Sequence, residues 1–128
     1  MDIETIVVGG GVVGLASAKA LAACGREVLL IERRARLGQE TSARNSEVVH
    51  AGLYYPPGSL KARLCVEGRR RLGDFCRAAG VPYAPLGKLI VAASDAEIAD
   101  LEGLAGRARA NGVTDVRLLS GAEARRLE

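Results

Sequence analysis

In the opening stretch "IVVGGGVVGL", Gly9, Gly11 and Gly14 stand in G-x-G-x-x-G order. Gly10 is an extra glycine, and Val12 and Val13 lie between the second and third of the set. Such a spacing serves phosphate binding. The first glycine permits a tight turn, the second lets the backbone approach a pyrophosphate, and the third lets a helix pack closely on a strand. A helix starting at Val12 aims its unpaired N–H groups and the positive end of its dipole at that pyrophosphate. The second requirement is an acid where the next strand ends, and Glu32 closes the apolar run "EVLLIE". A carboxylate there accepts from both hydroxyls of an adenosine ribose and repels a 2′-phosphate. That disfavours NADP, although Arg33 and Arg34 beside it keep that alternative open.

These residues need a β-α-β frame, and the pattern supplies one. Residues 3–8 become continuously apolar, as in a strand buried on both faces of a parallel sheet. Residues 12–24, "VVGLASAKALAAC", read as a helix with small residues toward the sheet, stopped by Gly25. Residues 27–32 are a second buried strand, and the unit implies a right-handed crossover. Residues 33–58 carry no clear period, and a loop of that length is usually functional. Ser59 is placed to cap a helix from Leu60 to about Ala79, with Leu64, Leu72, Phe75 and Ala79 on one face. Gly80 and Pro82 end it. "KLIVAAS" (88–94) and "DVRLL" (115–119) read as strands. Ser94 with Glu97, and Ser120 with Glu123, read as capping boxes. The last helix runs into Glu128 without a closing strand, and a doubly wound sheet needs more strands than two. The expected fold is therefore α/β, a Rossmann-like domain with a parallel sheet, forming the N-terminal part of something larger. A small complete α/β domain is the alternative.

Composition narrows the partners. Hydrophobic residues make up 48% of the 128, which excludes a disordered chain. The net charge of +3 is scattered, aromatics are 3% and Trp is absent, so neither a nucleic-acid patch nor a base-stacking platform is expected. Cys24, Cys65 and Cys76 are odd in number and lack C-x-x-C spacing. No metal site or disulfide framework is expected, and a reducing, cytoplasmic setting is the default. "LAAC" before residue 25 resembles a lipoprotein cleavage site, but Asp2, Glu4 and Lys19 do not suit a signal peptide.

The loop from Gln39 to Tyr55 bears on which dinucleotide is held. FAD is longer than the crevice at the strand switch and needs further cover. Thr41, Ser42, Asn45 and Ser46 supply hydroxyl and amide groups of the right kind. Here the chain also resembles a known family. "GQETSARNSEVVHAGLYYPPGSLKARLCVEG" and "FCRAAGVPYAPLGKLIVA" are similar to the L-2-hydroxyglutarate dehydrogenase/oxidase group of the FAD-dependent oxidoreductases of the D-amino-acid oxidase type. The resemblance runs from about Ile3 to Glu128.

That resemblance implies FAD as cofactor and a two-domain flavoenzyme, with residues 60–128 including the start of the substrate-side region. Gly9, Gly11 and Gly14 would hold the pyrophosphate, with Thr41 and Ser42 reaching it from the other side. Glu32 would bind the ribose, with Arg33 beside it. Asn45, Ser46 and the His50-Ala51-Gly52 segment would lie near the flavin ring. Arg44 stands where many members carry His, and Glu47 where many carry Gly. The implied reaction oxidises a 2-hydroxy acid, L-2-hydroxyglutarate first among them, to the 2-oxo acid. Electrons would pass to a quinone, a carrier or oxygen, and the whole protein could sit at the inner face of a membrane. The alternatives are a dinucleotide-binding module without activity of its own and an amine or amino-acid oxidase of the same fold.

His50 is the single histidine. As a catalytic residue it would tune the flavin, act as general base or carry the flavin covalently; otherwise it orders its loop. Tyr54 and Tyr55 read equally as cavity border or turn packing. Arg69, Arg70 and Arg71 are consecutive on a helix, so they cannot form one narrow patch, and they read as a solvated face. The three cysteines read as core fillers.

Overall fold

The computed structural model describes residues 3–127. The chain forms two compact units, Met1–Val48 and Val49–Glu128.

The first unit is the expected β-α-β frame. Strand β1 (Thr5–Val8) leads to helix α1 (Val12–Ala23), which returns to strand β2 (Val28–Ile31). The strands are parallel, in register from Thr5 opposite Val28 to Val8 opposite Ile31. Ala and Leu dominate α1 and favour helix; Cys24 is its C-cap. The half-covered positions Gly14, Ala18 and Leu21 fall on one stripe of α1, which packs on both strands. Two of the three are small, as expected of the sheet-facing side. The strands, however, are not buried on both faces. Side chains alternate across a strand, and Ile6, Val8, Leu29 and Ile31 are exposed on the face that α1 does not cover.

The second unit holds α2 (Leu60–Ala79), a single 3-10 turn (Asp95–Glu97), α3 (Ile98–Ala110) and the short α4 (Gly121–Ala124). Ser59 caps α2 by accepting from the Ala62 N–H. Gly80 closes that helix in the left-handed conformation, and the Val81 N–H donates to the Cys76 carbonyl. The buried residues are Ala62, Cys76, Ala105, Ala108 and Val113.

Several expectations require correction here. The buried stripe of α2 is Ala62, Gly73 and Cys76, not the face of Leu64, Leu72, Phe75 and Ala79, which is exposed. Small residues form the stripe, and Gly73 lies beside the Tyr83 ring, where a Cβ would make ordinary contact at 3.6 Å. Residues 88–94 and 115–119 form no strand, and β1–β2 is the only sheet among the described residues. The apolar runs at 88–94 and 115–119 favour strands, but a strand exists only where a partner offers its edge. The Ser120–Glu123 capping box forms in full. The one at Ser94 does not, because the Glu97 carboxylate accepts from the Ala93 N–H instead and the 3-10 turn intervenes before α3. Cys76 is buried and Cys65 half-buried, but Cys24 is exposed and fills no core position.

Candidate dinucleotide site

Each glycine of the loop meets a different constraint. Gly9 has a φ of +103°, a conformation L side chains rarely adopt. A Cβ on Gly14 would come within 1.9 Å of the Gly9 carbonyl oxygen, so the turn and helix α1 touch backbone to backbone. Gly10, outside the three-glycine pattern, is equally constrained. A Cβ there would fall 2.5 Å from a Leu37 methyl and 3.1 Å from the Glu32 carboxylate. The following loop folds back on it, with the Gly38 N–H donating to the Gly10 carbonyl at 2.9 Å.

Glu32 is fixed by the backbone. One oxygen accepts from the Gly10 N–H at 2.7 Å and the other from the Arg34 N–H at 2.8 Å. The Arg34 N–H foremost, then that of Gly10, hold its carboxyl below the ordinary glutamate value. The group is thus a carboxylate, and each oxygen keeps lone-pair capacity for a ribose hydroxyl. Arg33 and Arg34 both pair with Glu40. Their charges are engaged by an acid rather than left for a 2′-phosphate.

Gly11 is the N-cap of α1 and offers no side chain to it. Ser42 takes that place from 30 residues along the chain: its hydroxyl accepts from the Val12 N–H at 2.9 Å. That hydroxyl still has its own proton to donate, and the remaining first-turn N–H groups, Val13 among them, have no carbonyl within the helix. Together they form a donor set for a pyrophosphate. The chemistry of the residues present therefore fits the adenosine and pyrophosphate portion of a dinucleotide.

The rest of the polar loop is arranged differently. Thr41 begins a single 3-10 turn, Thr41–Ala43. The Asn45 amide donates to the Ser42 carbonyl at 2.8 Å, and its oxygen accepts from the Glu47 N–H at 2.7 Å, so the side chain serves a local turn. Glu47 is the one non-glycine residue with positive φ, +57°, among those described. Ser46 is exposed.

His50 belongs to the second unit. Its Nδ1 lies 2.8 Å from the Tyr55 hydroxyl. The Asn111 amide nitrogen donates to the carbonyls of both Gly52 and Tyr55, each at 2.9 Å, while its buried oxygen has no partner. Gly52 has a φ of +92° and lies against α2, where a Cβ would fall 2.8 Å from a Val66 methyl. The arginine run is not a uniformly solvated face: Arg69 is held by both oxygens of Asp115, and its guanidinium keeps that carboxyl below its ordinary value.

The structure thus brings Gly9, Gly10, Gly11, Gly14, Glu32 and Ser42 together. The sequence reading missed Leu37 and Glu40, whose roles depend on how the loop folds back. It also missed Tyr55 and Asn111 as partners of the His50 loop. One signal was legible: Asn45 two residues before Glu47 is an Asx-turn pattern. Among the described residues no cluster of His, Cys, Asp and Glu could hold a metal, and no helix is long and apolar enough to cross a membrane.

A β-α-β unit whose helix start offers unpaired N–H groups and whose second strand is followed by an anchored acid has the form of a Rossmann-like dinucleotide-binding fold. Residues 4–128 match the DAO family, described as FAD dependent oxidoreductase, and the chain belongs to that family. It is similar to the mitochondrial L-2-hydroxyglutarate dehydrogenase of Arabidopsis thaliana, 49% identical over 98% of this chain and 26% of the relative. The Caenorhabditis elegans protein of the same name is 42% identical over 98% of this chain and 29% of the relative. The Homo sapiens protein is 41% identical over 92% and 26%. The chain spans less than a third of the length of these relatives. The family implies FAD as cofactor, and the adenosine and pyrophosphate groups described above suit it.

Proposed function

We propose that this chain supplies the adenine-side half of the FAD site of an oxidoreductase acting on a 2-hydroxy acid, L-2-hydroxyglutarate being the favoured substrate. Residues 1–128 are then the N-terminal portion of its FAD-binding domain, and residues 60–128 include the start of the substrate-side region of a two-domain enzyme. The observation that carries this reading is the Glu32 carboxylate, anchored at Gly10 beside the open first turn of α1. The relatives' printed names supply the substrate.

In this reading the Val13 N–H with the rest of the first turn and the Ser42 hydroxyl hold the pyrophosphate, while the Val12 N–H, expected among those donors, is taken by Ser42 and orients its hydroxyl. Glu32 orients the ribose through both oxygens. The Gly9–Gly14 backbone contact fixes the helix start against β1, so the donors need no rearrangement on binding. When bound, FAD supplies the hydride acceptor: hydride leaves C2 of the substrate as its hydroxyl proton passes to a base, giving the 2-oxo acid. In the same reading Thr41, Asn45, Ser46 and His50 are further cofactor-binding residues. Electrons then pass to a quinone, a carrier or oxygen, in a cytoplasmic setting or at the inner face of a membrane.

The test is an absorption spectrum of the protein expressed from its whole reading frame. The expected result is a flavin spectrum bleached by L-2-hydroxyglutarate under anaerobic conditions. A flavin bleached by amino acids or amines, and not by any 2-hydroxy acid, would contradict the substrate class.

A further inference from the structure

The segment from His50 to Tyr55 is held in a way its proposed role does not require. Three features converge on it. Both protons of the Asn111 amide are engaged, one by the Gly52 carbonyl and one by the Tyr55 carbonyl. The amide cannot be turned around, because its oxygen would then face two acceptors. Gly52 is seated against α2 without room for a side chain. The Tyr55 side chain reaches back to His50, its hydroxyl 2.8 Å from Nδ1. The two ring planes are parallel within 4° at 6.5 Å between centroids. With an edge atom of each ring in contact, parallel planes mean the rings lie end to end and not one over the other. The hydrogen bond therefore runs in the imidazole plane, along the Nδ1 lone-pair or N–H direction.

A bond in that direction leaves two arrangements: the tyrosine donates to a bare Nδ1, or Nδ1–H donates to the tyrosine oxygen. Lys61 distinguishes them. Its ammonium lies 4.4 Å from the centre of the Tyr55 ring. A positive charge against the ring draws electron density from the phenol oxygen, which makes the hydroxyl a stronger donor and a weaker acceptor. We infer that Tyr55 donates to Nδ1 of His50, so that neutral His50 carries its proton on Nε2 and presents it outward as a hydrogen-bond donor. Tyr55 is then the positioning residue for His50, and Asn111 the positioning residue for Tyr55.

For function this inference rests on the reading above that sets His50 near the flavin. A neutral imidazole with its proton on Nε2 offers a hydrogen bond to an electron-rich atom in front of it. It cannot take up the substrate's hydroxyl proton at that nitrogen. His50 therefore acts as a donor that favours negative charge at its target, and the general base of the reaction is another group.

The test is the imidazole 15N spectrum of the whole protein at a pH where His50 is neutral, with His50→Asn used for assignment. The expected result is a bare-nitrogen resonance for Nδ1 and a protonated one for Nε2. The reverse pattern overturns the inference. Tyr55→Phe should let the second tautomer appear, and Lys61→Met, which leaves the hydroxyl in place, should shift the populations the same way by less. Asn111→Ala should follow Tyr55→Phe. An unchanged His50 spectrum in Asn111→Ala would overturn the role given to Asn111. Failure of the two readings is separable. If the spectrum is as expected but His50→Asn leaves flavin absorption and turnover unchanged, the tautomer stands and the placement of His50 at the flavin falls.

Discussion

The two units reach rigidity by different routes. In Met1–Val48 the tight contacts follow the fixed spacing of one β-α-β frame: Gly9 against Gly14 within the turn, and Gly10 against Glu32 where the second strand ends. In Val49–Glu128 the corresponding contacts join distant segments. Asn111 ties down a loop 56 to 59 residues earlier, and Arg69 pairs with Asp115 across 46. A site carried by a recurrent spacing can be read from that spacing. One assembled across a unit cannot.

The largest effect should come from Gly14→Ala in the first unit. The new Cβ meets backbone, which cannot move aside as a side chain can. A loss of about 3 kcal/mol or more in thermal unfolding is expected, with FAD binding lost alongside. Gly52→Ala is the counterpart in the second unit. It combines an unfavourable φ with contacts at 2.8 Å to a Val66 methyl and 3.3 Å to the Ala62 carbonyl, both milder than the clash at Gly14, so about 1–3 kcal/mol is expected. If the second substitution costs more than the first, the contrast between the units is wrong.

Glu32→Gln sharpens the account of the first unit. It should weaken FAD binding by roughly tenfold, as expected for loss of one charged hydrogen-bonding group. The wild-type carboxyl is held below its ordinary value, so its contribution to stability is present above that value. It is lost as pH falls through the lowered one. Thermal unfolding followed from neutral to acid pH should show a larger loss in the wild type than in Glu32→Gln, which keeps the lowered Asp115 carboxyl. The smallest effect concerns Glu47. Replacing it with Gly removes the left-handed strain and should stabilise the protein by about 1 kcal/mol in a denaturant titration.

The first unit was largely legible because its devices recur at the fixed spacing of a β-α-β frame. Glycine spacing gave the turn, helix and close packing, and the acid closing strand β2 followed. Ser42 was named by type, although its role as the cap of α1 depends on a loop path that no local pattern encodes. In the second unit the caps at Ser59, Gly80 and Ser120 were legible because each acts within a few residues. The apolar face of α2 was misjudged because large side chains weighed more than the small ones that permit close approach. Residues 88–94 and 115–119 have the apolar character of strands, but strand formation belongs to a pair, and neither finds a partner among the described residues. His50 was visible as the single histidine. Its partners were not, since nothing near it in sequence points to Asn111.

The central claim is that the Gly9–Gly14 turn and Glu32 hold FAD. Its most direct test is to identify the nucleotide that copurifies with the protein expressed from its whole reading frame, in the wild type and in Glu32→Gln. The account predicts FAD in the wild type and a markedly lower content in the variant. A colourless wild-type protein that binds NAD would contradict it.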